Sequence, residues 1–387
     1  MKISTKKIPA TLALSDGKVF KGYSVGAEGE TSGEVVFNTS MTGYQEILTD
    51  PSYRYQMLTF TTPHIGNVGV NEDDVESDRI QVSGVITKNF SNHYNNFRAT
   101  DSLQNYLAKN NVVGISGIDT RDLVYHLRTY GSQMGVIASG DHNPDDLVDK
   151  ARNQPNMLGL DLVKIVTTSE PYKWNQGTFD LSSKSFGYKN YTDEEQAQKP
   201  HVVAVDFGIK YNILRLLVDQ GFRVTVVPAT YTAEQILALN PDGVFMSNGP
   251  GDPAVVTYGI DAIKGILGKK PIFGICLGHQ LLGHALGIPT FKLKFGHRGG
   301  NHPVRNEVTG KIEITVQNHG FASVANKRPR GVRITHLNLN DQTIEGLEAR
   351  EMGAFSVQYH PEASPGPSDA QYLFKKFKDL VIDRRGV

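Results

Sequence analysis

A single cysteine, Cys276, occurs in 387 residues, and neither sign of charge is in excess: Lys+Arg and Asp+Glu both number 40. One cysteine excludes an intramolecular disulfide framework and any zinc site built from several thiolates. It fits a soluble protein of a reducing compartment, so a cytoplasmic location is expected. A formal net charge of zero leaves no electrostatic footprint for nucleic acid. No apolar run reaches the length needed to cross a bilayer, so no membrane partner is expected. The basic start, Met1-Lys2-Ile3-Ser4-Thr5-Lys6-Lys7, precedes an apolar stretch too short and interrupted for a signal sequence. No Gly-x-x-x-x-Gly-Lys-Ser/Thr occurs, which argues against a Walker-type nucleotide site. No internal repeat is evident, and the length suffices for two domains with full-sized cores.

What is present gathers around the one thiol. Cys276 follows the apolar run Pro271-Ile272-Phe273-Gly274-Ile275, which reads as a buried strand. It precedes a helical stretch from Leu277 to Leu286, stopped by Gly287 and Pro289. Gly274-x-Cys276-x-Gly278 has the spacing of a nucleophile elbow with Cys in place of Ser. A thiol at a helix N-terminus is biased towards the thiolate. The competing reading is a small core residue at a strand end, common for a lone cysteine. Against it stands the run Ala354-Phe355-Ser356-Val357-Gln358-Tyr359, which ends in His360-Pro361-Glu362, 84 residues downstream (360 − 276). A histidine at a strand's carboxyl end lies where ligands bind in a wound sheet. Glu362 can orient its ring, completing a Cys-His-Glu relay.

The chain divides into 1–165, a polar joint over 166–200, and 201–387. After Pro200, strands alternate with helices: His201 to Asp206, Arg223 to Val227, Gly243 to Ser247 and the strand leading to Cys276. That order predicts a parallel sheet wound on both faces, with the nucleophile at the carboxyl edge of a central strand. Residues 1–165 read as mixed α/β, with strand-like runs at 34–39 and 56–61 and helices over 102–108 and 121–130.

Ser247-Asn248-Gly249-Pro250-Gly251-Asp252-Pro253 reads as a rigid loop whose open amides suit an oxyanion, with a phosphate-binding loop or a plain turn as the alternatives. Gln317-Asn318-His319-Gly320-Phe321-Ala322 reads as a further loop able to meet an amino acid's charged ends. His279, His284, His297, His302 and His319 read as structural, with no carboxylate or cysteine cluster around them, and no metal site is expected.

Together, Gly274-Ile275-Cys276-Leu277-Gly278-His279-Gln280, the Asn-Gly-Pro-Gly-Asp-Pro loop and His360-Pro361-Glu362 resemble the class I, triad-type glutamine amidotransferases. The run from Asn38 to Tyr53, together with Pro63-His64-Ile65-Gly66-Asn67, the run from Phe295 to Pro303 and Glu362-Ala363-Ser364-Pro365-Gly366-Pro367, resembles the small subunits of carbamoyl-phosphate synthetases over essentially the whole chain. The resemblance implies hydrolysis of L-glutamine, with Cys276 as nucleophile, His360 as general base and acid, and Glu362 as orienter. It implies glutamine contacts at Ser52, Gly249, Gly251, Leu277, Gln280, Asn318, Gly320 and Phe321. It also implies a large synthetase subunit as partner, higher assembly of small–large pairs, no cofactor on this chain, and ATP and Mg on the large subunit. Other readings are a glutaminase serving another synthetase, such as those for anthranilate or GMP, a catalytically silent partner subunit, and a γ-glutamyl peptidase of the same fold.

Overall fold

Residues 7–181, 186–324 and 329–385 are described by the computed structural model of the chain. The basic start up to Lys6 and residues 182–185 of the polar joint lie outside them. Two compact units form: Met1–Met157 with Lys294–Gly299, and Leu158–Leu293 with Gly300–Val387. The division thus falls at 157/158 rather than 165, and residues 166–200 are no separate joint. Tyr172–Trp174 is instead an edge strand, and Gln176–Asp180 pairs with Gly187–Asn190 as a hairpin. The polar composition concealed these strands because few of their residues enter a core. Tyr172 and Trp174 do, and the buried Arg215 guanidinium lies 4.3 Å from the Tyr188 ring.

The first unit is a closed seven-stranded barrel. Its strands are β1 (Pro9–Leu14), β2 (Val19–Gly26), β3 (Glu30–Asn38), β4 (Gln56–Phe60), β5 (Gly84–Thr87), β6 (Val113–Ser116) and β7 (Gln133–Ser139). They run in the order β1-β2-β6-β5-β4-β3-β7, with β3, β4, β5 and β6 parallel in succession. Two-residue periodicity assigns the faces. Leu12, Leu14, Val35, Phe37, Met57, Ile86 and Ile137 share one core. Their neighbours Val36, Leu58 and Val85 pack with helices α1 (Tyr44–Thr49) and α2 (Leu103–Lys109), and Ala13, Val136 and Ala138 pack with α4 (Pro144–Arg152); α3 is Thr120–Tyr130. Because β1, β4, β5 and β6 are covered on both faces, they lose the alternation that marks a pairing face, and the barrel's closure was not visible in sequence.

The second unit is built on a ten-stranded sheet. Its strands are β8 (Tyr172–Trp174), β9 (His201–Asp206), β10 (Arg223–Pro228), β11 (Gly243–Met246), β12 (Ile272–Ile275), β13 (Thr290–Asn306), β14 (Ile312–Ser323), β15 (Arg333–Asn338), β16 (Ile344–Ala349) and β17 (Ala354–Val357). The order is β8-β10-β9-β11-β12-β17-β16-β14-β13-β15, and the five strands from β10 to β17 are mutually parallel. Val202, Ala204 and Phe273 pack on one face under α5 (Tyr211–Asp219) and α9 (Tyr372–Arg384). Val203, Val205 and Met246 pack on the other under α6 (Ala233–Ala238), α7 (Thr257–Ile266) and α8 (Leu277–Ala285). The doubly wound, mostly parallel sheet expected after Pro200 is present, extended by antiparallel strands beyond β17. Among the described residues, no helix is long and apolar enough to cross a membrane.

Candidate active site

The parallel core decides which residues meet. Ile275 of β12 stands opposite Val357 of β17, and the Cys276 N–H donates to the Val357 carbonyl at 2.9 Å. The segments after β9, β11, β12 and β17 therefore all leave the same carboxyl edge, where wound sheets place their ligands.

Cys276 caps α8 with φ 53° and ψ −102°, a left-handed conformation for a residue with a Cβ. Such strain costs roughly 1–3 kcal/mol and persists only where neighbours enforce it. The glycine bracket does so. A Cβ on Gly274 would stand 2.7 Å from the Gly278 carbonyl oxygen, and one on Gly278 would stand 2.2 Å from that of Met246. Both residues are close-approach positions, and the Gly278 N–H is bonded to the Ser247 carbonyl at 2.9 Å. The thiol is buried in the core cluster under α5 and α9, so the packing half of the core-residue reading also holds. Its sulfur donates weakly to the Asn318 carbonyl at 3.6 Å.

His360 Nδ1 donates to Glu362 Oε1 at 2.6 Å, and both side chains are buried. Burial opposes a charge on the ring, but the Glu362 carboxylate and the Cys276 sulfur outweigh it and hold the imidazole pKa up to about 10. Nε2 is buried without a hydrogen bond of ordinary geometry among the described residues. On the far side, Lys210 Nζ sits 3.0 Å from Glu362 Oε1 and donates to the Ala363 carbonyl at 2.6 Å, and Asn212 Nδ2 donates to the Glu362 carbonyl at 2.6 Å. Burial raises the Glu362 pKa, but Lys210 and His360 bring it down to about 2. The result is a buried series Lys210⁺–Glu362⁻–His360⁺ beside the Cys276 sulfur.

The loop after β11 is pinned by contact. A Cβ on Gly249 would lie 2.1 Å from the Phe207 carbonyl oxygen, and Gly251 has φ 95°. Leu277 is the first residue of α8, so its N–H has no carbonyl partner within the helix. Gln280 Nε2 donates to the Phe321 carbonyl at 2.8 Å and to Gln358 Oε1 at 3.0 Å. Asn318, Gly320 and Phe321 do not lie in a loop as the sequence suggested; they belong to β14. Their polar neighbours are satisfied inside the sheet. His319 Nε2 meets Gln317 Oε1 at 2.9 Å, and Gln317 Nε2 donates to the buried Glu345 carboxylate at 3.0 Å. Contrary to expectation, a carboxylate does cluster with two of the histidines: His297, His319 and Glu345 are buried with an atom of each within 4.8 Å of the others. Cys276, His360, Glu362, Gly249, Gly251, Leu277, Gln280, Asn318, Gly320 and Phe321 all belong to the second unit. Ser52 belongs to the first, in the turn Pro51–Tyr53, with its N–H on Asp50 Oδ1 at 2.9 Å.

Residues 12–137 match the family model "Carbamoyl-phosphate synthase small chain, CPSase domain", and residues 203–380 match "Glutamine amidotransferase class-I". The carbamoyl phosphate synthase small chain of Syntrophotalea carbinolica is 58% identical over 376 residues, covering 97% of this chain and 98% of the relative. This chain belongs to the carbamoyl phosphate synthase small chain family. The small chain of Aquifex aeolicus is 54% identical, covering 96% of this chain and 98% of its own length, and that of Ralstonia nicotianae is 51% identical, covering 97% and 98%.

Two side chains of this small-chain site escaped the sequence reading. Lys210 lies in Asp206-Phe207-Gly208-Ile209-Lys210, directly after a buried parallel strand. That position was its available signal, the same one that singled out Cys276 and His360. Asp206 ends the strand, and its Oδ1 accepts from the N–H groups of Gly208 and Ile209 at 2.9 and 2.8 Å, which folds the turn that presents Lys210.

Proposed function

We propose that this chain is the glutamine-hydrolysing subunit of a carbamoyl phosphate synthase, working through Cys276, His360 and Glu362. The observation that carries the reading is the buried series Lys210–Glu362–His360 beside a cysteine held at positive φ. In the first step the Cys276 thiolate attacks the side-chain carbonyl carbon of glutamine. The N–H groups of Gly249 and Leu277 receive the charge that develops on oxygen. The carbon–nitrogen bond breaks as imidazolium His360 passes its proton to the leaving nitrogen, releasing ammonia and leaving a thioester. Neutral His360 then takes a proton from water, the resulting hydroxide attacks the thioester, and glutamate leaves with thiolate and imidazolium restored. Gly251, Gln280, Asn318, Gly320 and Phe321 contact the bound glutamine. Ammonia passes to a large partner subunit, which uses bicarbonate and ATP with Mg and assembles with this chain as small–large pairs in the cytoplasm.

Cys276→Ser tests the assignment in the complex with the large subunit. Glutamine-dependent synthesis should be abolished while synthesis from added ammonia persists, because serine is a poor nucleophile at neutral pH without a base matched to it. Glutamine turnover near the unsubstituted rate would remove Cys276 from the mechanism. Ammonia released to solvent with no dependence on any partner would favour a stand-alone hydrolase.

A further inference from the structure

The chain enters the second unit at Leu158, and the segment that follows touches both turns flanking the triad. At its start, the Gly159 N–H donates to Asp252 Oδ2 at 3.0 Å, and the Asp252 N–H donates to the Leu160 carbonyl at 3.4 Å. A Cβ on Gly251 would lie 2.9 Å from that same carbonyl oxygen. The other oxygen of Asp252 accepts from the Ala254 N–H at 2.9 Å, so one buried carboxylate joins the segment to the Gly249-Pro250-Gly251 loop. At the far end, the Thr168 N–H donates to Asp206 Oδ2 at 2.7 Å, while Asp206 Oδ1 holds the turn leading to Lys210. Between the two anchors, Val163 is fully buried with Phe207, Leu277 and Leu281, and Asp161 accepts from Tyr258 at 3.1 Å.

Each anchor thus works in two directions. Asp252 couples residues 159–160 to the loop that carries Gly249, and Asp206 couples Thr168 to the turn whose Lys210 touches Glu362. Both loops rest on a segment that begins just after one of the chain's crossings out of the first unit. We propose that residues 159–168 act as a strap that sets the position of the Gly249–Gly251 amides and of Lys210, with Asp252 and Asp206 as its positioning residues. The inference rests on the glutaminase reading above. Preorganised donors contribute only when they sit where charge develops, and a displacement of about 1 Å can cost roughly 10²-fold in rate.

Asparagine at either position separates the strap from the turn it holds. In Asp252→Asn, one oxygen can still accept from Ala254, but an amide NH₂ now faces the Gly159 N–H. In Asp206→Asn, the turn at Gly208 and Ile209 keeps its acceptor while the Thr168 N–H meets a donor. Glutamine hydrolysis by the full chain is measured for both variants, with thermal melting alongside and Cys276→Ser in parallel. The expected result for each is a kcat reduced about 10- to 100-fold, with KM for glutamine changed less than about threefold. A merely structural defect would lower the amount of folded enzyme without this split, and reverting either substitution to aspartate should restore the rate. If Asp252→Asn does not fold, Asp206→Asn alone decides between the two. Unchanged kcat in a folded variant, or a loss expressed mainly in KM, overturns the strap. Hydrolysis that survives Cys276→Ser removes Cys276 from the mechanism instead, and an absence of glutamine hydrolysis by the unsubstituted protein overturns the glutaminase reading.

Discussion

At φ 53°, Cys276 adopts a backbone conformation that its own side chain disfavours. This gives a stability order opposite to the usual one. Glycine in place of alanine ordinarily destabilises by roughly 0.5–1 kcal/mol, yet here Cys276→Gly should melt at or above Cys276→Ala, because only glycine removes the Cβ penalty. A clearly lower melting temperature for the glycine variant would show that the elbow is unstrained. The imidazole beside it makes a second prediction. Since Glu362 is a principal cause of the raised His360 pKa, Glu362→Gln should move the basic limb of the glutaminase pH–rate profile downwards from about 10 while retaining measurable activity. His360→Asn, which removes the imidazole proposed to carry the proton, should cost on the order of 10²–10⁴-fold. Steady-state glutaminase rates between neutral and alkaline pH check both; an unmoved limb in Glu362→Gln would sever the pair, and full activity in His360→Asn would remove the histidine from the chemistry.

Elements matter here through where they end. The helix α8 starts on Cys276 because Gly278 lets its first turn lie directly on the Met246 carbonyl, 2.2 Å from where a Cβ would be. Gly278→Ala must push helix and strand apart, so a loss of roughly 1–3 kcal/mol in stability is expected, with glutaminase activity falling at least tenfold as the elbow moves. A Cβ on Gly283, further along the helix, would meet Ser323 Oγ at 3.4 Å, the Ile288 carbonyl oxygen at 3.5 Å and Leu347 Cδ1 at 3.7 Å, all ordinary van der Waals contacts. Gly283→Ala should leave activity intact and stabilise by roughly 0.5–1 kcal/mol. Chemical denaturation of the two variants, side by side, distinguishes a helix start built for close approach from general intolerance of the helix to side chains. Equal losses in both would refute the distinction.

Across the whole molecule, stability should peak near neutral pH. Burial lowers the pKa of both His279 and His336 to about 3. The unfolded chain therefore binds protons at these sites that the folded chain refuses, and stability is lost as pH falls from about 6.5 towards 3, by up to about 1.4 kcal/mol per pH unit per group. His360 has the opposite sign: its folded pKa of about 10 contributes stability that is complete below about 6.5 and is lost as pH rises from there to 10. Glu362, held down to about 2, contributes stability above about 4.5 that is lost as pH falls through 2. Urea unfolding at intervals from pH 5 to 9 should trace a dome, and a profile flat down to pH 5 would show that His279 and His336 are not buried neutral.

Local chemistry determined much of this protein. The alternation of strands and helices after Pro200 is a short-range pattern, and it predicted a parallel wound sheet. Glycines around Cys276 and a histidine at a strand's end are also local signals, since a sharp turn needs residues without a Cβ wherever it occurs. The barrel of the first unit was not legible, because strands buried on both faces lose the polar alternation that marks pairing. Nor was the role of Lys210, whose meaning depends on Glu362, a residue 152 positions away (362 − 210) in sequence and 3.0 Å away in space. The polar run 317–322 looked like a loop because its partners, Glu345 and Gln280 among them, come from other elements distant in sequence. Residue types and their near neighbours specified the chemistry available. Long-range strand order decided which groups share one desolvated edge, where their charges act on one another strongly enough to set protonation states.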